Sequence, residues 1–183
     1  AYRVSSRSFP NRVARITDIG VAIEPLDPED MKRNPYIAYN CIRVSDNGVV
    51  VSNGSHTDPI FDKLEAGVKP EAALQQVLEE MGYERDDYNT PRIAGIVTEH
   101  VGYVATIRAD GFEVAGFDLE ENSCHIICTY EMDRVESLGH SFIAATAEEA
   151  AKYVVDGGIF GTLELPICAA AWMNDLAILN PHK

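Results

Sequence analysis

The chain has 183 residues, with 15 Lys+Arg against 29 Asp+Glu and a formal net charge of -14. That length suits one domain with a real core, and the acidic balance excludes a protein that grips nucleic acid over its whole surface. No stretch approaches the ~18 apolar residues of a spanning helix, no secretory signal opens the chain, and four cysteines make no disulfide framework at this size, so a cytoplasmic protein with free thiols and no membrane partner is expected.

In chain order, residues 2–6 read as a strand running into a bend at Phe9-Pro10-Asn11. Residues 12–24 alternate imperfectly, with Val13, Ile16, Ile19, Val21 and Ile23 as strand formers. Prolines and acids make 25–30 a loop. Residues 36–44 are extended, Asp46-Asn47-Gly48 is a tight turn, and Val49-Val50-Val51 returns as the partner strand. Thr57-Asp58-Pro59 starts a helix that carries Ile60, Phe61 and Leu64 and stops near Gly67. A second helix runs from Pro70, with Ala73, Leu74, Val77, Leu78 and Met81 at helical spacing, and ends at Gly82.

The pattern turns back to β over residues 93–110, with a turn at Asp110-Gly111. Residues 123–130 read as a further strand and 141–145 as another. Thr146-Ala147-Glu148-Glu149 is a capping box opening a helix that stops at Gly157-Gly158. Residues 165–177 read as a final, apolar helix. Strands, two helices, strands and two helices point to an α+β layered fold, sheets between helix layers, spanning 1–183 as one domain.

Residues 1–17 hold four arginines (Arg3, Arg7, Arg12, Arg15) and no acid. Such an island suits a phosphate-bearing ligand, because arginine forks bind its oxygens bidentately. On residue type alone the plainer reading is favoured, a solvated strand face that pairs with the abundant carboxylates. Cys124 and Cys128, read on a strand, lie roughly 13 Å apart at about 3.3 Å per residue, with His125 on the other face. Zinc sits about 2.3 Å from each sulfur, so core packing is the better reading of this pair. No Walker A loop, dinucleotide fingerprint, nucleophile elbow or His-Glu-x-x-His is present, so no nucleotide cofactor and no catalytic metal are inferred. By residue type alone, Glu84 is an exposed loop carboxylate.

Four segments carry more. Tyr2-Arg3-Val4-Ser5-Ser6-Arg7-Ser8-Phe9-Pro10-Asn11-Arg12 resembles the opening signature of the archaeal-type IMP cyclohydrolases. Arg33-Asn34-Pro35-Tyr36-Ile37-Ala38-Tyr39-Asn40-Cys41 and Val51-Ser52-Asn53-Gly54-Ser55-His56-Thr57-Asp58 are similar to that family too. So is Tyr83-Glu84-Arg85-Asp86, through to Asn89-Thr90-Pro91-Arg92. The similarity runs in order through essentially the whole chain. Family members carry a short strand-like segment before the signature, so the native chain is expected to begin before Ala1.

The resemblance implies a four-layered αββα sandwich of the N-terminal-nucleophile-hydrolase type. It implies closure of the purine ring of 5-formamidoimidazole-4-carboxamide ribonucleotide (FAICAR) to inosine monophosphate and water, on a small nucleotide substrate. Glu84 matches the family's catalytic carboxylate, Arg12 its catalytic arginine and Tyr39 a tyrosine of the pocket. Arg7, Asn11, Asn40, Asn53 and Arg92 lie inside matching motifs and are candidate ligand contacts, with turn and strand-end hydrogen bonding as the equal alternative. Beside Arg12, Glu84 is expected to have a lowered proton affinity unless burial outweighs the pairing. Homo-oligomerisation stays open. One rival is an amidohydrolase with an N-terminal nucleophile, which would need self-cleavage at Asn40-Cys41. Another is a purine-nucleotide binding module without turnover.

Overall fold

A computed structural model describes residues 1–182. The imperfect alternation over 12–24 resolves into a hairpin, β2 (Arg12–Thr17) and β3 (Gly20–Pro25). The turn depends on Gly20, which has a φ of 145° and so lies in a region that side chains rarely adopt. A Cβ there would stand 2.0 Å from the Ile42 carbonyl oxygen. The loop that follows holds a one-turn helix, α1 (Asp30–Arg33), and a 3-10 turn at Pro35–Ile37. The extended segment therefore begins later than expected, as β4 (Tyr39–Ser45), which pairs through the foreseen turn with β5 (Gly48–Ser52).

Helices α2 (Thr57–Glu65) and α3 (Pro70–Met81) form where the spacing placed them. They bury Ile60, Phe61, Leu64, Ala73, Leu74, Val77 and Leu78. Strands β6 (Arg92–Val97), β7 (Val101–Arg108) and β8 (Gly111–Asp118) complete an antiparallel seven-stranded sheet in chain order from β2 to β8.

Two expectations fail next. The strand over 123–130 shrinks to β9 (Ser123–Cys124), and that over 141–145 to β10 (His140–Ser141). Among the described residues each is the other's only strand partner, and the backbone beyond that pair turns to loop contacts instead, with the Cys128 N–H donating to the Met132 carbonyl and the Phe142 N–H to that of Asn122. The 13 Å separation argued for Cys124 and Cys128 therefore has no strand beneath it. Among the described residues, no cluster of three or more His, Cys, Asp or Glu is placed to hold a metal ion.

Helix α4 (Ala147–Asp156) opens as expected, with the Thr146 hydroxyl accepting from the Glu149 N–H. The final apolar helix does not form. Residues 165–177 hold most of a second hairpin, β11 (Pro166–Trp172) and β12 (Leu176–Leu179). Together with β1 (Tyr2–Ser5) they make a three-stranded antiparallel sheet, in the order β1-β11-β12. The run is apolar throughout because β11 is buried on both faces. Cys168 and Ala170 pack with Val21, Ile23 and Ile42 of the large sheet, while Ala169 and Ala171 pack against α4. A continuous apolar run cannot separate buried strand from helix by period.

The elements thus stack as α2 and α3, the seven-stranded sheet, the three-stranded sheet, and α4. The fold is mixed α and β with antiparallel sheets. No helix among the described residues is long and apolar enough to cross a membrane.

Candidate functional site

Antiparallel pairing decides which residues meet. Arg12 opposes Pro25, Ile23 opposes Tyr39, and Ser52 opposes Ala94. The start of β2, the start of β4, the end of β5 and the start of β6 therefore lie at one end of the large sheet. Arg12, Tyr39, Asn53 and Arg92 arrive there from sequence positions up to 80 apart. The loop after α3 folds onto the same end and brings Glu84.

Glu84 is the centre of the site and only 6% exposed, which overturns its reading by residue type as a surface loop carboxylate. Its loop is tied down from within. The Asp86 carboxylate accepts from the Tyr88 and Thr90 N–H groups and from the Thr90 hydroxyl. The Glu84 N–H in turn donates to the Thr90 carbonyl at 2.9 Å, and the Thr90 hydroxyl meets that of Tyr130 at 2.9 Å.

The Glu84 carboxyl accepts from Arg92 Nη1 at 3.1 Å. Burial pushes its pKa up to about 7, with Asp86 adding to the rise and Arg92 and Arg12 opposing it. Burial therefore outweighs the arginines, the exception foreseen for this group. A carboxyl poised near neutrality can both take and return a proton.

Arg92 is itself buried, with 5% of its surface exposed. Its guanidinium lies 5.7 Å from the centroid of the Tyr36 ring, within cation–π range. Arg12 is buried too, its Nε donating to the Phe9 carbonyl at 3.1 Å. Its charge is felt at Glu84, Tyr39, Tyr2 and Cys168. Tyr39 shares a 2.6 Å hydrogen bond between hydroxyls with Tyr2. Burial pushes the Tyr39 pKa up to about 12 and that of Tyr2 well above its usual range, so both are phenols at neutral pH. The end of the sheet thus holds two guanidinium cations, a proton-exchanging carboxyl and a phenol pair.

The remaining candidates sit differently. The Asn53 amide brackets Arg92 at the start of β6, donating to the Pro91 carbonyl and accepting from the Ile93 N–H. Asn40 Nδ2 lies 3.0 Å from both Asp58 carboxylate oxygens. Arg7 is at the surface, its side chain 79% exposed and paired with Glu164 at 2.6 Å, and Asn11, four residues on, is exposed as well. The basic island is dispersed. Arg3 donates to carbonyls at the end of α4 and beyond it, including those of Phe160 and Leu163, and Arg15 pairs with Glu24. Only Arg12 turns inward to the site.

Sequence reasoning passed over His56, Gly54, Tyr2 and Tyr36. All four lie inside the quoted motifs, which was the available signal. The Cys41 thiol is fully buried in mid-strand, where burial raises its pKa well above the usual thiol range. It offers no nucleophile for the amidohydrolase rival.

Comparison with known proteins adds the family. The model of the family described as IMP cyclohydrolase-like protein matches residues 1–177. An IMP cyclohydrolase of Methanocella arvoryzae is 46% identical over 170 residues, covering 92% of this chain and 82% of that protein. One of Methanothrix thermoacetophila is 41% identical over 187 residues, covering 99% and 90%. One of Halobacterium salinarum is 43% identical over 171 residues, covering 93% and 83%.

Proposed function

Since the chain belongs to the IMP cyclohydrolase-like family, we propose that it closes the pyrimidine ring of FAICAR to give inosine monophosphate and water. The observation that carries the reading onto particular residues is the buried Glu84 carboxyl, held near neutrality between Arg92 and Arg12.

The carboxamide nitrogen is a poor nucleophile and must lose a proton as it bonds to the formyl carbon. Glu84 takes that proton. The formyl oxygen gathers negative charge, which Arg12 stabilises. The Glu84 proton, returned directly or through the Tyr39 hydroxyl, converts that oxyanion to a hydroxyl. The hydroxyl then takes a second proton, matched by the one the former formamide nitrogen gives up, and leaves as water as the C–O bond breaks and the ring C=N bond forms. Nucleophile and electrophile share one molecule, so holding them in register supplies much of the remaining acceleration. The test is to incubate the protein with the formylated ribonucleotide and follow inosine monophosphate. Binding without turnover would leave only the binding-module reading.

The stacked layers agree with an αββα sandwich, which we assign to the N-terminal-nucleophile-hydrolase type on the family resemblance. We place the enzyme in the cytoplasm, in keeping with its free cysteines. The reaction asks for proton transfer and one stabilised oxyanion, which side chains can supply. Turnover is therefore expected to persist in excess chelator, and activity that needs added zinc or magnesium would overturn this.

Of the two arginines expected at the phosphate, Arg92 is buried and engaged by Glu84, so Arg7 is the proposed phosphate contact. Arg7→Ala is expected to weaken inosine monophosphate roughly tenfold and inosine hardly at all, because a charge-assisted fork to phosphate is lost. Equal changes for both ligands would make Arg7 a surface residue and no more.

A further inference from the structure

His56, between β5 and α2, has no exposed surface, and the reaction described above makes no use of it. Its Nε2 lies 3.0 Å from the Ile93 carbonyl oxygen, which can only accept, so Nε2 carries the proton. Nδ1 is then a bare acceptor, 3.4 Å from the same Arg92 Nη1 that donates to Glu84. Arg92 Nε is buried and has no partner among the described residues, so Nη1 holds the guanidinium by its two hydrogens. Gly54 closes the group from above. A Cβ on it would lie 3.1 Å from Arg92 Nη1, 3.1 Å from His56 Nδ1 and 3.2 Å from Glu84 Oε1.

We propose that His56 is a positioning residue, an Nε2–H imidazole whose bare Nδ1 aims the Arg92 guanidinium at the Glu84 carboxyl and so sets the pH at which Glu84 exchanges its proton. A second carboxylate at this place would compete for the arginine's charge, whereas a neutral acceptor fixes its direction and leaves the charge for Glu84. Burial drives the His56 pKa down to about 3, against the opposing pull of the Ile93 hydrogen bond, and the arginine's charge adds a smaller push downward. The charged and titratable groups facing Glu84 are Arg92 from β6, Arg12 from β2 and Asp86 from its own loop. His56 reaches it only through Arg92. The inference rests on reading Glu84 as the proton carrier.

Two substitutions separate aiming from filling. His56→Asn can place an oxygen where Nδ1 sits and keep an acceptor for Arg92. His56→Gln can keep a donor for the Ile93 carbonyl but loses that acceptor. In the pH–rate profile, the Gln variant should move the acidic limb upward by about 1 unit, because part of the arginine's attraction on Glu84 is lost. The Asn variant should keep the wild-type midpoint. Equal movement in both, or none in either, would overturn the proposal.

A measurement on the unaltered protein stands beside these. Nitrogen-15 spectra of labelled histidine should show His56 as the neutral Nε2–H tautomer from pH 5 to 9. Its Nδ1 resonance should shift with the same midpoint as the activity limb. An Nδ1–H tautomer, a protonated ring or an unresponsive Nδ1 would overturn the proposal. Near-normal turnover by Glu84→Gln would instead sink the reading of Glu84, which is a separate failure.

Discussion

Glu84→Gln is expected to cut ring closure by about 10³-fold while product affinity changes little, the loss typical of a removed general base. The amide keeps the shape of the side chain and an oxygen to accept from Arg92 Nη1, so the pocket should stay closed. What disappears is the group that takes the carboxamide proton. Arg12→Lys keeps the charge but not the fork, and a smaller loss, roughly 10–10²-fold, is expected from a less directed oxyanion partner. The double variant should lose less than the product of the two single losses, because groups acting in one transition state are not additive. Single-turnover ring closure at saturating ligand measures each value. Near-normal turnover by Glu84→Gln would remove the carboxyl from the mechanism.

Glu84 should also make stability depend on pH in an unusual direction. Its carboxyl has a pKa near 7 in the folded chain against an ordinary 4.5. Below about 4.5 both states carry the proton and the folded state suffers no penalty. Between 4.5 and 7 the unfolded chain ionises while the folded one holds its proton, so stability falls as pH rises through that window. The full difference is about 3 kcal/mol, at 1.36 kcal/mol per unit.

His56 acts oppositely. Its folded pKa of about 3 lies below the ordinary 6.5, so its contribution is present above 6.5 and lost as pH falls towards 3. Comparing wild type with Glu84→Gln cancels His56, which both proteins share. In urea unfolding, the stability of the Gln variant relative to wild type should rise by about 2–3 kcal/mol from pH 5 to pH 8 and then level off. The absolute offset also contains the cost of leaving Arg92 without a counter-charge, so the slope carries the test. A constant difference across this range would mean that Glu84 ionises in the folded protein as it does in water.

Local chemistry was enough for some elements. The Asn47-Gly48 turn, the helical spacing from Ala73 to Leu78 and the Thr146 cap each rest on neighbours a few residues away, and each formed as the sequence implied. Motifs spread over the whole chain likewise carried the family. Where an element depends on partners distant in sequence, the residues alone could not place it. The run Ile167-Cys168-Ala169-Ala170-Ala171 became a strand because two different cores lie on its two sides. Residues 125–130 had strand-forming side chains but no neighbouring strand to pair with.

The site divides in the same way. The motifs pointed to Arg12, Glu84 and Tyr39 as candidates for the chemistry, and the fold brings all three to one end of the large sheet. That Arg3, Arg7 and Arg15 turn to carbonyls and carboxylates, while Arg12 turns inward, was decided by strand direction and register. The raised proton affinity of Glu84 comes chiefly from its burial in the folded chain, with its sequence neighbour Asp86 adding to it. The contact between His56 and Arg92 needed β5, β6 and the start of α2 to be assembled first, because a hydrogen bond between residues 36 apart exists only once register fixes their separation.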